Sequence, residues 1–312
     1  MLIGFLFGLV SAVANGSSNI LGAVAARRAG VLIAPMAVLT IALVFMAMFA
    51  WATGLSFVFD LDDMPLLVTL GAMVALGFSL FYKALQLGPV SVVSSITATS
   101  GAASVVFAVI LLGEHPSLLQ WMAVPVSTLG AVLATRARRL PDATRGAIGR
   151  GPVYAALTVL TGGCSNALIR IPIVEHGPVQ AVVVQRFFTV VFIVLLVAGA
   201  ALLRRHRSRR LRTGEDAPGL ASAPVPRPRE RGGWRATVAL LVLMGAIDGT
   251  GFIGFAFGMA VAPAWLLGLV SQSGRLAAAF VATAVFRENL RPIQWFGIGL
   301  VAVGLVLAVA PI

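Results

Sequence analysis

The stretch FYKALQLGPVSVVSSITATSGAASVVFAVILLGEHPSLLQWMAVPVSTLGAVLA, residues 81–134, aligns without a gap on FAFGMAVAPAWLLGLVSQSGRLAAAFVATAVFRENLRPIQWFGIGLVAVGLVLA, residues 255–308, at a constant offset of 174. The identities include Phe81/Phe255, Pro89/Pro263, Glu114/Glu288, Gln120/Gln294, Trp121/Trp295 and Gly130/Gly304. Further upstream, Ser18, Asn19, Leu21 and Gly30 match Ser165, Asn166, Leu168 and Gly177 at an offset of 147. The chain is therefore a duplicated unit. The change of offset places 27 extra residues in the second copy, between its second and third apolar segments.

Outward from that alignment the chain is overwhelmingly apolar. It is 59% hydrophobic and 11% charged, with a mean hydropathy of +0.99, against roughly 45 to 50% apolar and about 25% charged residues in a soluble domain. Ten segments are long enough to cross a hydrocarbon core of about 30 Å. They are 2–24, 32–55, 64–84, 89–112, 117–135, 152–174, 178–203, 235–259, 262–285 and 292–311. The expected fold is all-α and integral to the membrane, with ten transmembrane helices arranged as two five-helix repeats, 1–140 and 150–312. An odd number of spans per repeat makes the second copy enter the bilayer from the opposite side, so the repeats are inverted.

The net charge of +12 lies almost entirely in connections, without interleaved aromatics, so nucleic acid is not an expected partner. Arg27, Arg28, Lys83, Arg136, Arg138, Arg139, Arg145, Arg150, Arg287 and Arg291 fall in connections after odd-numbered spans. The other side holds Asp60, Asp62, Asp63, Glu114, Glu175 and His176. By the positive-inside rule the basic connections are cytoplasmic and both termini lie outside. The extra residues of the second copy sit in 204–234, rich in arginine and then in Pro218, Pro224, Pro226 and Pro228. That composition reads as a disordered linker. Met1 to Gly16 lacks a basic n-region and is repeat material, so it stays as the first helix. The single cysteine, Cys164, is a packing residue in an apolar span and excludes an intramolecular disulfide.

Ala84-Leu85, Pro89-Val90-Ser91-Val92-Val93-Ser94, Leu111-Leu112-Gly113-Glu114, Leu118 to Trp121 and Gly130 resemble the drug/metabolite transporter superfamily in its EamA-domain branch. Pro263 through Phe286-Arg287-Glu288 to Gln294-Trp295 and Gly304 resembles the same module. The resemblance implies a ten-helix bundle around a central cavity, in a multi-pass protein of a bacterial cytoplasmic membrane that moves small metabolites, often outward. Two departures stand out. The arginine common early in the second helix of each repeat is present as Arg186, but Leu39 occupies its place in the first repeat. The charge pattern also favours outside termini, where ten-helix relatives usually have cytoplasmic ones.

Charges buried in a bilayer cost roughly 2.5 to 3.5 kcal/mol each on insertion scales, so each needs a reason. Asp248 and Arg275 both fall near the midplane of their spans, where they could pair. Asp248 is the acid of a span interior, in a Gly-rich setting, and a desolvated carboxylate there is the requirement for proton coupling. A permanent salt bridge that only orders helices is the competing role. Arg275, with Arg186 as second choice, offers a guanidinium fork suited to an anionic solute. Arg170 lies near a span end, where it can snorkel. Asn15 and Asn19, mirrored by Ser165 and Asn166, set polar groups at equivalent depths, as cavity lining or as interhelical glue. The same alternatives apply to Thr97 against Ser271 and Gln272. Glu114 and Glu288 are expected as water-facing helix ends.

No G-x-x-x-x-G-K-[ST] loop is present, which disfavours primary active transport. His115, His176 and His206 lie in connections, so an intramembrane enzyme lacks a nucleophile with its base or a metal set. The expected class is a secondary transporter with no cofactor, a small-molecule substrate, the lipid bilayer as environment and a homodimer as an open possibility. Two mechanisms remain: an exporter of metabolites or drug-like solutes, with proton coupling through Asp248, or an exchanger or uniporter for an anionic solute. A membrane scaffold, or an intramembrane enzyme using Asp248 with the arginines, is the remaining alternative.

Overall fold

The computed structural model describes residues 1–29, 33–55, 64–87, 90–134, 150–212, 233–271, 273–274 and 291–309. Every regular element among them is a helix, as lipid demands, since a helix satisfies its backbone polar groups within one segment. The first half comprises α1 (Leu2–Ala29), α2 (Ile33–Ala52), α3 (Met64–Leu87), α4 (Val90–Thr97), α5 (Ser100–Leu112) and α6 (Leu118–Ala134). The second comprises α7 (Gly151–Leu168), α8 (Arg170–His176), α9 (Pro178–Arg212), α10 (Trp234–Val261), α11 (Ala264–Ser271) and α12 (Pro292–Val309).

Among the described residues seven helical stretches are long and apolar enough to cross a membrane, and Leu2–Ser18 and Leu118–Ala134 form shorter apolar helices. Half of the expected ninth span lies outside the described residues, which cover 262–271 and 273–274 of it. One boundary differs from expectation. Arg204 to Arg212, assigned to the linker, continue α9 as helix. Arginine and leucine are good helix formers, and no glycine or proline interrupts the run before Gly214.

Packing pairs elements across the two halves. α1 and α2 both pack on α10, and α7 and α9 both pack on α3. α5 packs on α7 and α11 on α1, while α6 and α12 form the most extensive seam. Individual contacts recur at the sequence offsets. A Cβ at Gly71 would sit 2.6 Å from Phe188 Cβ and 3.0 Å from Thr189 N, and one at Gly245 would sit 2.6 Å from Ile41 Cβ and 3.2 Å from Ala42 N. Gly71 and Gly245 are equivalent at 174, and Ile41-Ala42 and Phe188-Thr189 at 147. The Gln120/Gln294 identity acquires a reason in the same way: Ser117 N donates to Gln120 Oε1 and Arg291 N to Gln294 Oε1, each at 2.9 Å. Both glutamines cap the start of the last helix of their half.

The α6–α12 seam depends on backbone approach that only glycine permits. A Cβ at Gly130 would lie 2.6 Å from Gly297 O and 2.7 Å from Val301 N, and one at Gly304 would lie 2.9 Å from Ser127 N. Gly130→Val is expected to cost about 1–3 kcal/mol through overpacking. Thermal unfolding in detergent checks this: an unchanged Tm would mean that the seam is looser than described.

Candidate functional site

Gly177, at φ +96°, turns the chain into α9, which carries Gln185 and Arg186 inward as a polar pair on an apolar helix. Arg186 is 2% exposed, and its Nη2 donates to Asp248 Oδ2 of α10 at 2.8 Å. One helical turn beyond Asp248, the ring of Phe252 lies 3.8 Å from Arg186 Cζ. The guanidinium is thus held by a carboxylate and an aromatic face on one side of α10, two contacts that both favour a cation. Among the described residues its Nε, which is buried, finds no hydrogen-bond partner. A buried unpaired donor is costly, and a ligand acceptor placed there would satisfy it.

The equivalent positions in the first half are Leu39, Val74 and Phe78. Leu39 is buried and Val74 half-buried. The duplicated frame therefore has its aromatic in both halves and its charge pair in one. Beside Arg186, Gln185 Nε2 donates to Ser165 Oγ at 3.2 Å, with Ser165 and Gln185 1% and 4% exposed. This links α9 to α7. Thr189 Oγ1 in turn donates to Gln185 O.

The second feature is a pair of interrupted helices. α4 ends at Thr97 and α5 begins at Ser100; α11 ends at Ser271 and helix resumes at Gly274. Thr97/Ser271 and Ser100/Gly274 are equivalent at the 174 offset. The hydroxyls at the breaks behave alike: Thr97 Oγ1 donates to Ser94 O and Ser271 Oγ to Gly268 O, while Thr99 Oγ1 donates to Ile96 O and Ser273 Oγ to Val270 O. Each bond reaches back three residues to a carbonyl, the local competition with the helix ladder that serine and threonine offer.

The remaining expected residues distribute around these features. Asn15 is half-buried, its Nδ2 donating to Ser11 Oγ at 3.1 Å, and it lies against Gly251 of α10. Asn166 is half-buried on α7, where neighbouring Gly163 packs on Ala103 and Ser104 of α5. Gly274 approaches Ala12 of α1. The side chain of Asn19, together with Gln272 and Arg275, lies outside the described residues. Among the described residues the partner of Asp248 is Arg186; the pairing of Asp248 with Arg275 that the sequence suggested falls on a residue outside them.

Two side chains differ from expectation. Glu114 is not a water-facing end: its side chain is 11% exposed, and it accepts from the amides of Ala264 and Trp265 at 2.8 Å each. Arg170, expected to snorkel, forms an ion pair with Glu114. Both acquire partners because Gly113, at φ +65°, ends α5 in the left-handed conformation and turns the chain back across the bundle. The Leu-Gly-Glu order signals that turn, but the partner lies 150 residues away in sequence. Gln185 and Phe252 were also missed; adjacency to Arg186 and four-residue spacing from Asp248 were the signals available.

Comparison with known proteins agrees with this architecture. Residues 2–136 match the model of the EamA-like transporter family. A solved structure titled only "Crystal structure of protein" superposes with a TM-score of 0.73 at 16% identity, covering 98% of this chain and 96% of its own; at that identity the likeness concerns the fold. A comparison with curated proteins finds no match. Residues 2–136 are thus similar to the EamA-like transporter family, in a multi-pass membrane protein whose described regular elements are all helices.

Proposed function

We propose that the chain is a secondary transporter of ten spans, its second half, 150–312, being a second EamA-like copy inserted with inverted topology. It moves a small metabolite or drug-like solute across the cytoplasmic membrane by alternating access, in the outward direction, with its basic connections in the cytoplasm. The observation that carries this is the pair of helix breaks at Thr97–Ser100 and Ser271–Gly274, which fall at equivalent positions and are hooked by equivalent hydroxyls. Interrupted helices in corresponding places of two repeats mark the binding region of such carriers, because unwound backbone is tolerated at membrane depth only where protein buries it or a cavity needs it. The contacts that recur at both offsets support the inverted arrangement.

Arg186 is the solute anchor in this proposal, with Asp248 and Phe252 positioning it. A carboxylate engaged by a guanidinium at 2.8 Å must leave that partner before it can shuttle a proton. The buried Nε of Arg186, unpartnered among the described residues, favours a second form of the same function, exchange or uniport of a solute with an anionic group.

Counterflow in proteoliposomes, with a panel of amino acids, organic acids and lipophilic cations, tests the function. Exchange of one class above protein-free vesicles is the expected result, and no exchange of any class would oppose it. Asp248→Asn then separates the mechanisms. Loss of pH dependence with retained movement identifies proton coupling, whereas exchange that never moved protons in the parent protein identifies the arginine-anchored carrier.

A further inference from the structure

Glu114 joins three chain segments at one carboxylate. Gly113 and Glu114 both send their backbone N–H to Ala108 O, closing α5 and aiming the glutamate across the bundle. There Oε1 accepts from Ala264 N and Oε2 from Trp265 N, each at 2.8 Å, and Arg170 Nη1 of α8 donates to Oε1. The amides are the first two of α11, which have no acceptor within their own helix, and Pro263 before them supplies no N–H. A carboxylate at a helix start also meets the positive end of its dipole.

We infer that Glu114 is the closing residue of a gate at this end of the bundle, holding the start of α11 against α5 and α8 while this end is shut. The inference rests on the alternating-access reading above. α11 is suited to be the moving part. It is a short piece, bounded at one end by the extended residue Ala262, at φ −140° and ψ 160°, and at the other by the Ser271–Gly274 break. The bonds are suited to being released. Water can replace the carboxylate at the two amides, and Arg170, with 28% of its side chain exposed, keeps its hydration when the glutamate leaves. A fully apolar brace would not open on such terms. Glu114, Arg170 and Ala264 all lie at ends of spans that the charge pattern places opposite the basic connections.

The test reads water access. In a Cys164→Ser background, Val270→Cys supplies a buried reporter six residues along from Ala264, or about 9 Å of helix rise. A membrane-impermeant maleimide is added from the Glu114 end of oriented proteoliposomes. Glu114→Ala is expected to raise the labelling rate about tenfold, the scale of losing a strong helix cap, with no rise from the opposite end. Glu114→Gln, which keeps one acceptor oxygen and loses the ion pair, is expected to give a smaller rise. A folded Glu114→Ala protein that labels at the parent rate would make Glu114 a static brace and overturn the inference; if that variant does not fold, an unchanged rate in Glu114→Gln decides the matter the same way. The labelling needs no solute, so a parent protein that moves no solute would remove the transport reading without altering this result.

Discussion

Replacing Arg186 by leucine, or Asp248 by valine, is expected to cost about 3–5 kcal/mol of stability, and replacing both together to bring the loss back to within about 1 kcal/mol. Either single change strands a charge. With Arg186 gone, the carboxylate of Asp248, 16% exposed, loses its guanidinium; with Asp248 gone, a guanidinium 2% exposed keeps the Phe252 ring but loses its carboxylate. The double change removes both charges and installs Leu and Val, the residues the first half carries at Leu39 and Val74, so the frame already accommodates that pair. Unfolding in detergent micelles, followed for the parent, both single variants and the double variant, gives the coupling energy directly. Additive losses would mean that the pair contributes little as a pair.

Releasing the hooked hydroxyls is expected to stop transport without unfolding the protein. Thr97→Ala with Thr99→Ala, and separately Ser271→Ala with Ser273→Ala, remove the side chains that bond Ser94 O, Ile96 O, Gly268 O and Val270 O. Alanine is the best helix former, so both breaks are biased toward continuous helix and the Tm holds or rises. Solute flux is expected to fall at least about tenfold, equivalent to a barrier higher by about 1.4 kcal/mol, because a rewound helix no longer presents unwound backbone to the solute or hinges between states. Flux at the parent level in both pairs of variants would show that the breaks are incidental to the cycle.

Much of this architecture was legible in the sequence because duplication leaves a record that needs no coordinates. A gap-free alignment at 174 sets which residues occupy equivalent places, and Gly130/Gly304 and Gln120/Gln294 proved to be structural equivalents as well as identities. Hydropathy marked the spans for the same reason it works in membranes generally: the backbone must be helical there. Side-chain pairing was less legible. Depth along a helix places Asp248 and Arg275 near the midplane, but that Arg186 reaches Asp248 depends on rotation about the helix axes, which composition does not encode. Glu114 illustrates the same limit. Its place at a span end predicted water, whereas a left-handed glycine one residue earlier redirects it to two amides in the other half. Conversely, the arginine run of 204–212 reads as linker by charge and is helix by propensity.

The account is tested most directly by solute counterflow in proteoliposomes holding the parent protein or the Arg186→Leu/Asp248→Val double variant, matched for protein content and folded state. Exchange of at least one solute class by the parent, and none above protein-free vesicles by the equally stable double variant, is the expected result. Equal exchange by both would place the solute site away from the charge pair, and no exchange by the parent across the panel would contradict the proposal that the chain is a carrier.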